Sequence, residues 1–449
     1  MLTYVAKKEI LEHLKSFRFL VAFIFILVTF FIMISIRHFE YRSNWNDYLL
    51  KVKSQEEALE KYTSYDRNIA LSFPIIQPSP MEIIVAPAVN GTVFQAGRSL
   101  DDNPIKSITI KLDIIALVGI LGSLLTLLLS YDSINREVNC ATMRLLLSTG
   151  IPKIKIILGK ILGGSLVAIL PITVIFLILP IWIGISDAPA FNLNQLASLF
   201  GIFLSSIVYV IFFYCLGTLA SSMFLDQTLS AFSCFSVWIL LIIVVPVSGS
   251  YLAKTIVKVP DLGAIQRQVL RMRNSEKWET VNKLVAPYIA QGMSESEAQK
   301  KIDMAKIDME ISGRVTALRD EYSKAVTRQT KLSIRFACIS PYTNFLVAVE
   351  ELSGFGIERF DHLENLVNSW RVIAREYLAS QYNQTKKINP GFRTSDRIDV
   401  SGMPRFRYVE STIGYKLLHA LPYILLLTAY FVVLPFVFVY VLYSRRRLF

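Results

Sequence analysis

The chain has 449 residues, 53% of them hydrophobic and 12% aromatic, and a formal net charge of +12. Six apolar runs meet or approach the roughly 20 residues that a helix needs to cross about 30 Å of hydrocarbon, which excludes an ordinary soluble fold and a closed barrel. The basic excess does not point to nucleic acid, because Lys and Arg stand beside the apolar runs or alternate with acids in helical stretches.

Residues 1–18 carry Lys7, Lys8, Lys15 and Arg18, with Ile10, Leu11 and Leu14 at helical spacing, and read as an amphipathic helix on the cytoplasmic surface. The first span, 19–36, follows without a charge; Arg37, His38 and Phe39 come next and supply no small-residue cleavage site, so it is a retained helix. A first polar insert covers 37–107. Trp45, Tyr48, Val52, Leu59 and Tyr62 mark an amphipathic helix, and the Pro-rich stretch from Phe73 to Gly91 predicts extended segments and turns. The second span is 108–130, where Gly119 and Gly122 would permit close helix approach.

A basic, patterned connection at 131–155 leads to spans three and four, 156–186 and 193–223, joined by SDAPAFN. Pro171 and Pro180 should kink or interrupt the third. The fifth span, 228–248, is entered through FLDQ, where Asp226 reads as a helix cap. The second insert, 249–415, contains a long helical hairpin at 261–335 with a capping box at Ser294–Glu297, and a more globular part from Ser340 to Pro404. The sixth span, 416–444, ends in the tail 445–449 with its Arg triplet. Aromatics such as Trp182, Trp238, Tyr430 and Tyr443 suit interfacial belts.

The N-terminal helix, the 131–155 connection and the Arg triplet flank spans on one side, and the positive-inside rule makes that side the cytoplasm. Both termini are then inside and both inserts outside. Four cysteines without paired spacing predict no disulfide, and four scattered histidines form no metal site. Gly159-Lys160 lacks the remaining residues of a P-loop, no HExxH or nucleophile elbow occurs, and the spans are almost free of charge. Transport by this chain must therefore draw on a partner.

The segment YDSINREVNCATMRLLLSTGIPKIKIILGKILGG resembles the signature of ABC-2 type permeases, matched at Glu137, Thr142, Arg144, Leu147, Ser148, Pro152, Lys153, Gly159 and Lys160. Asn139 stands where the family often has a second acid, and Ala141 where it usually has Gly. The stretches from Ser340 to Arg371 and from Met403 to Leu427, with QPSP at 77–80, resemble the subgroup related to multicopper-enzyme maturation, similar to the nitrous-oxide reductase maturation permease.

The resemblance implies an all-α polytopic membrane protein of six transmembrane helices, like the ABC-2 or type V exporters, with two extracytoplasmic inserts. It implies a permease paired with a second copy or a paralogue, in a bacterial cytoplasmic (inner) membrane, above a separate ABC ATPase that carries ATP and Mg²⁺. This chain itself would bind no cofactor and catalyse nothing. The coupling helix, Asp132 to Ser148, would present Met143, Leu146 and Leu147 to the ATPase, with Asp132 and Glu137 favouring its dipole. An exporter is the first reading. A non-transporting complex that moves its external inserts against an envelope partner is the second. The 261–335 hairpin would meet such a partner or its own symmetry mate.

Overall fold

The computed structural model describes residues 2–64, 74–86, 113–148, 150–185, 189–300, 302, 304–393 and 396–444. Among the described residues the chain is all-helical, with one isolated bridge between Ser64 and Arg397 in place of any sheet. Six helices are long and apolar enough to cross a membrane.

Helix α1, Leu2–Leu14, precedes α2, Phe17–Tyr62, whose N-cap Ser16 accepts from the Phe19 amide. With neither Gly nor Pro between these bounds, nothing stops α2, and its 46 residues run about 70 Å, more than twice a hydrocarbon core. The first span and the amphipathic stretch after it are thus one rod. The chain returns through a short 3₁₀ turn, Pro80–Ile83, capped by the reciprocal Ser79–Glu82 pair, and Met81, Ile83, Ile84 and Val85 are buried in the bundle. Residues 87–112, which include the expected start of the second span, lie outside the described residues.

Helix α3 covers 114–130 and is π-helical at Leu117–Gly122. Two short helices follow, α4 (Asn135–Asn139) and α5 (Thr142–Ser148), and then α6, Lys153–Ile185, which continues unbroken through Pro171 and Pro180. The expected interruption is absent, since packed membrane helices tolerate the bonds that proline removes. Helices α7 (Leu193–Met223) and α8 (Gln227–Ile256) complete this half, and Asp226 caps α8 by accepting from the Thr228 amide. SDAPAFN is described only from Pro189 on.

The hairpin is formed by α9 (262–290), the short α10 (Glu295–Lys300) and α11 (Met304–Ala337), around a core that includes Ile265, Val281, Val285, Ile311 and Val315. It is rooted on the fifth span. A Cβ on Gly249 would lie 2.9 Å from the Ala337 nitrogen, and Gln329 Nε2 donates to the Val257 carbonyl at 2.6 Å.

The segment expected as an external globular part divides in two. Helix α12, Pro341–Ser353, enters the bundle: Phe345 stacks on Tyr209 of α7 at 4.5 Å between ring centroids, and Tyr342 fills the space left by Gly119. Only α13, Glu358–Ile388, projects outward, where Ala374 and Leu378 join Leu59 of α2 with Ile398, Val400 and Met403 in a small core. Helix α14, Ile413–Ser444, is the last span; the Arg triplet lies outside the described residues. The Trp238 indole donates to Ser123 Oγ at 2.9 Å and the Tyr430 hydroxyl donates to the Ile339 carbonyl at 2.7 Å. Trp182 is half-buried beside Phe31, and the side chain of Tyr443 is outside the described residues.

Candidate functional site

Where α3 ends, the chain must satisfy the free amides that open the next helix. It does so with one residue of α7: the amides of Ile134 and Asn135 donate to Ser221 Oγ at 2.9 and 3.1 Å. Ser230 of α8 donates to the Tyr131 carbonyl at 2.7 Å. Asn139 Nδ2 donates to the Leu225 carbonyl at 3.2 Å, in the α7–α8 turn. A carboxylate has no proton to give there, so the amide at 139 ties the segment to that turn in a way an acid would not.

A single helix over Asp132 to Ser148 is not formed. Helix α4 stops at Cys140 because Ala141 takes φ +61°, the left-handed region that favours glycine, at the position where the resemblance expects Gly. Thr142 restarts the chain, its hydroxyl donating to the Glu137 carbonyl at 3.2 Å. This break turns the faces of α5. Met143 is buried, and Leu146 and Leu147 pack beside it on Ile134, Ile151, Ile156 and Ile157, so the three apolar residues expected to face a partner face their own bundle. Leu145 is 70% exposed instead, next to exposed Arg144, Ser148 and Pro152. Lys153 is half-buried at the start of α6.

Glu137 stands in the first turn of α4, and both it and Asp132 also meet cations of neighbouring helices. Arg18 of α2 donates to Asp132 at 2.8 Å and to the Tyr131 hydroxyl at 3.1 Å. Glu137 Oε1 accepts from Lys8 of α1 at 2.9 Å and lies 3.1 Å from Lys160 of α6. Lys160 is fully buried and also meets Glu9 of α1 at 2.9 Å. Glu9 lies 3.3 Å from His13, whose Nε2 is 3.2 Å from the Tyr214 hydroxyl of α7. A further pair, Arg136–Glu12 at 2.7 Å, lies at the half-exposed edge. Burial alone would raise the Glu9 carboxyl, but the His13 hydrogen bond and the Lys160 charge hold it down to about 2.

The helices approach closely enough for this because of glycine. A Cβ on Gly159 would lie 2.8 Å from Val5 Cβ, and one on Gly163 would lie 2.5 Å from the Ala6 carbonyl oxygen. The pair is spaced as Gly-x-x-x-Gly, and α1 lies in the resulting groove with Val5, Glu9 and His13 facing α6. Gly164 serves the same end, since its missing Cβ makes room for the Tyr214 hydroxyl.

Lys160 thus lies in a cluster with Glu137, and the sequence singled out neither its second partner Glu9 nor the neighbouring Lys8 and His13 as members. The available signal was the recurrence of Val5, Glu9 and His13 at every fourth position, which puts an acid and an imidazole on the same helix face as an apolar residue. Chemically the cluster is a clamp. It joins α1, the 131–155 segment and α6 through the buried charges Glu9, Glu137 and Lys160, and Arg18 ties α2 to Asp132 from a more exposed position.

Comparison with curated proteins gives no match to this sequence. The family described as ABC-2 family transporter protein matches residues 3–448, and an ABC ATPase partner is implied by that family in general. With six spans present and a match over nearly the whole length, the chain belongs to the ABC-2 transporter family and is a multi-pass membrane permease subunit.

Proposed function

We propose that this permease is an exporter subunit of a bacterial cytoplasmic membrane, with both termini inside, working as a dimer with itself or a paralogue. A separate ATPase binds ATP and Mg²⁺ and pushes on residues 131–155. The observation that carries this reading is the Glu9–Lys160–Glu137 cluster. A push on the segment reaches α6 and α1 through Glu137 of α4, because detaching these helices from one another strands a buried charge, a loss of about 3–5 kcal/mol. Leu145 and Arg144 are the contacts offered to the ATPase; Met143, Leu146 and Leu147 fasten α5 to the bundle. The resemblance at 340–427 supports the subgroup related to multicopper-enzyme maturation.

The test is co-purification and ATP hydrolysis of the reconstituted complex. Leu145→Asp should abolish ATPase capture while leaving the thermal unfolding of the permease alone unchanged. Retained capture and coupled hydrolysis would remove Leu145 from the docking surface.

A second reading is favoured by one feature. Helix α2 passes without a break from the Arg18–Asp132 contact to the external Leu59 core, and α8 roots the hairpin. Such rods suit a complex that converts ATPase motion into movement of the external parts against an envelope partner. Deleting 262–337 should then abolish function while leaving any solute flux intact; loss of flux returns the hairpin to transport.

A further inference from the structure

At the end of the bundle opposite the coupling segment, α12, α13, α11 and α14 meet around the carboxylate of Glu351. The side chain is buried and folds over Gly356; a Cβ there would lie 2.1 Å from the Glu351 carboxyl carbon. Its Oε1 accepts from the Ile357 amide at 3.1 Å, in the elbow that joins α12 to α13. It forms no ion pair among the described residues. The elbow turns at Gly354, φ +80°, and Lys416 of α14 lies against that glycine.

The nearest cations of the Glu351 cluster are engaged with other groups. Lys331 of α11 is held by Glu358 of α13 at 3.1 Å, and Lys416 is held by Glu410 at 2.6 Å. Arg359 is turned over the rings of Phe355 and Tyr408. The three carboxylates Glu351, Glu358 and Glu410 face two ammonium groups that are already engaged and the Arg359 guanidinium, which lines the same cleft. The other titratable neighbours are Glu350 on α12 itself, Tyr415 and Tyr423 on α14, and Arg335 on α11 toward Tyr423; the two tyrosines and Glu350 supply no positive charge. A small cleft lined by Glu351, Glu358, Arg359, Ser411, Tyr415 and Lys416 connects the group to the surface.

We infer that Glu351 is a proton-binding site that latches α12 to α13 and α14: with the proton on, the elbow is closed, and with it off, repulsion from Glu358 in a dry setting loosens it. The titration falls in a useful range. Burial first, and then the Glu358 charge, push the Glu351 carboxyl up to about 7, against the opposing Ile357 amide and Lys331. A raised carboxyl stabilises the fold below its ordinary pKa of 4.5, and this contribution is lost as pH rises through about 7. Because α12 is wedged between α7 and α14, with Ser340 Oγ donating to the Leu241 carbonyl in the π-helical segment Leu240–Val244 of α8, loosening the elbow reaches the bundle itself. On the topology proposed above, the proton comes from the external side. The chemistry of the site does not depend on that topology.

The test uses the full-length permease in nanodiscs, read by infrared spectroscopy of the protonated carboxyl stretch and by thermal unfolding at pH 6 and pH 8. The wild type should show a protonated carboxyl that disappears with a midpoint near neutrality, and a Tm that falls between the two pH values. Glu351→Gln should lose the part of the band that titrates near neutrality, apart from any signal of the buried Glu82 and Asp113 carboxyls, which burial also pushes up, and should give the same Tm at both. Glu358→Gln, at a more exposed position, should move the midpoint to lower pH. A pH-independent wild type, an unchanged band with its near-neutral midpoint in Glu351→Gln, or a Glu358→Gln midpoint that stays or rises would each overturn the proposal. In oriented vesicles, a band that follows the pH of the coupling-segment side would overturn the topology and leave the proton site standing.

Discussion

Replacing Lys160 by Met keeps the length and apolar stem of the side chain and removes only its charge. The lost ammonium sits 2.9 Å from Glu9 and 3.1 Å from Glu137, both buried. At an effective dielectric of about 20, each contact amounts to roughly 5 kcal/mol before desolvation, which costs several kcal/mol for each buried ion. What the variant experiences is the stranding of two acids, a loss of about 3–5 kcal/mol at neutral pH. The pH dependence separates this from a packing defect. In the wild type, Glu9 lies at about 2 against an ordinary 4.5, so its share of stability, about 3 kcal/mol, is present above pH 4.5 and is lost as pH falls toward 2. Without Lys160, burial is opposed by His13 alone, the Glu9 carboxyl moves up, and the loss of stability in acid becomes smaller. Thermal unfolding of the detergent-solubilised permease between pH 2 and 6 should therefore show a steep loss in acid for the wild type and a shallower one for the variant. Adding Glu9→Gln and Glu137→Gln to Lys160→Met should recover most of the loss. A destabilisation below about 1 kcal/mol, or parallel pH slopes, would refute the clamp.

Gly163→Val should push α1 off α6, because its Cβ meets the Ala6 carbonyl at 2.5 Å, with a loss of about 1–3 kcal/mol and faster thiol labelling of a Val5→Cys reporter. Ala141→Gly should stabilise the coupling segment by about 1 kcal/mol, since φ +61° is strained for Ala, and should raise Tm. Met143→Asp should lower Tm sharply by placing a carboxylate in the Ile134–Ile156–Ile157 core, whereas Leu145→Asp should leave Tm unchanged and weaken only ATPase capture.

The six spans and the all-helical class were legible because both rest on local quantities, the length and apolarity of a run and its helical period. The same holds for the cap at Asp226, whose role needs only the two residues that follow it. The coupling segment was recognisable as a pattern, but its facing was not. One residue at positive φ, Ala141, rotates α5 relative to α4, and that rotation decides whether Leu145 or Leu147 is outside.

What sequence determined by itself is therefore the set of elements. The tertiary structure alone decided which distant charges meet. Glu9 and Lys160 are 151 positions apart and join because two glycines let α1 lie in the groove of α6. Glu351 lacks an ammonium of its own because Lys331 and Lys416 are drawn to Glu358 and Glu410. A charge inside an apolar run reads as an anomaly until its counter-ion is located, and the counter-ion is fixed by packing between helices that no local pattern encodes.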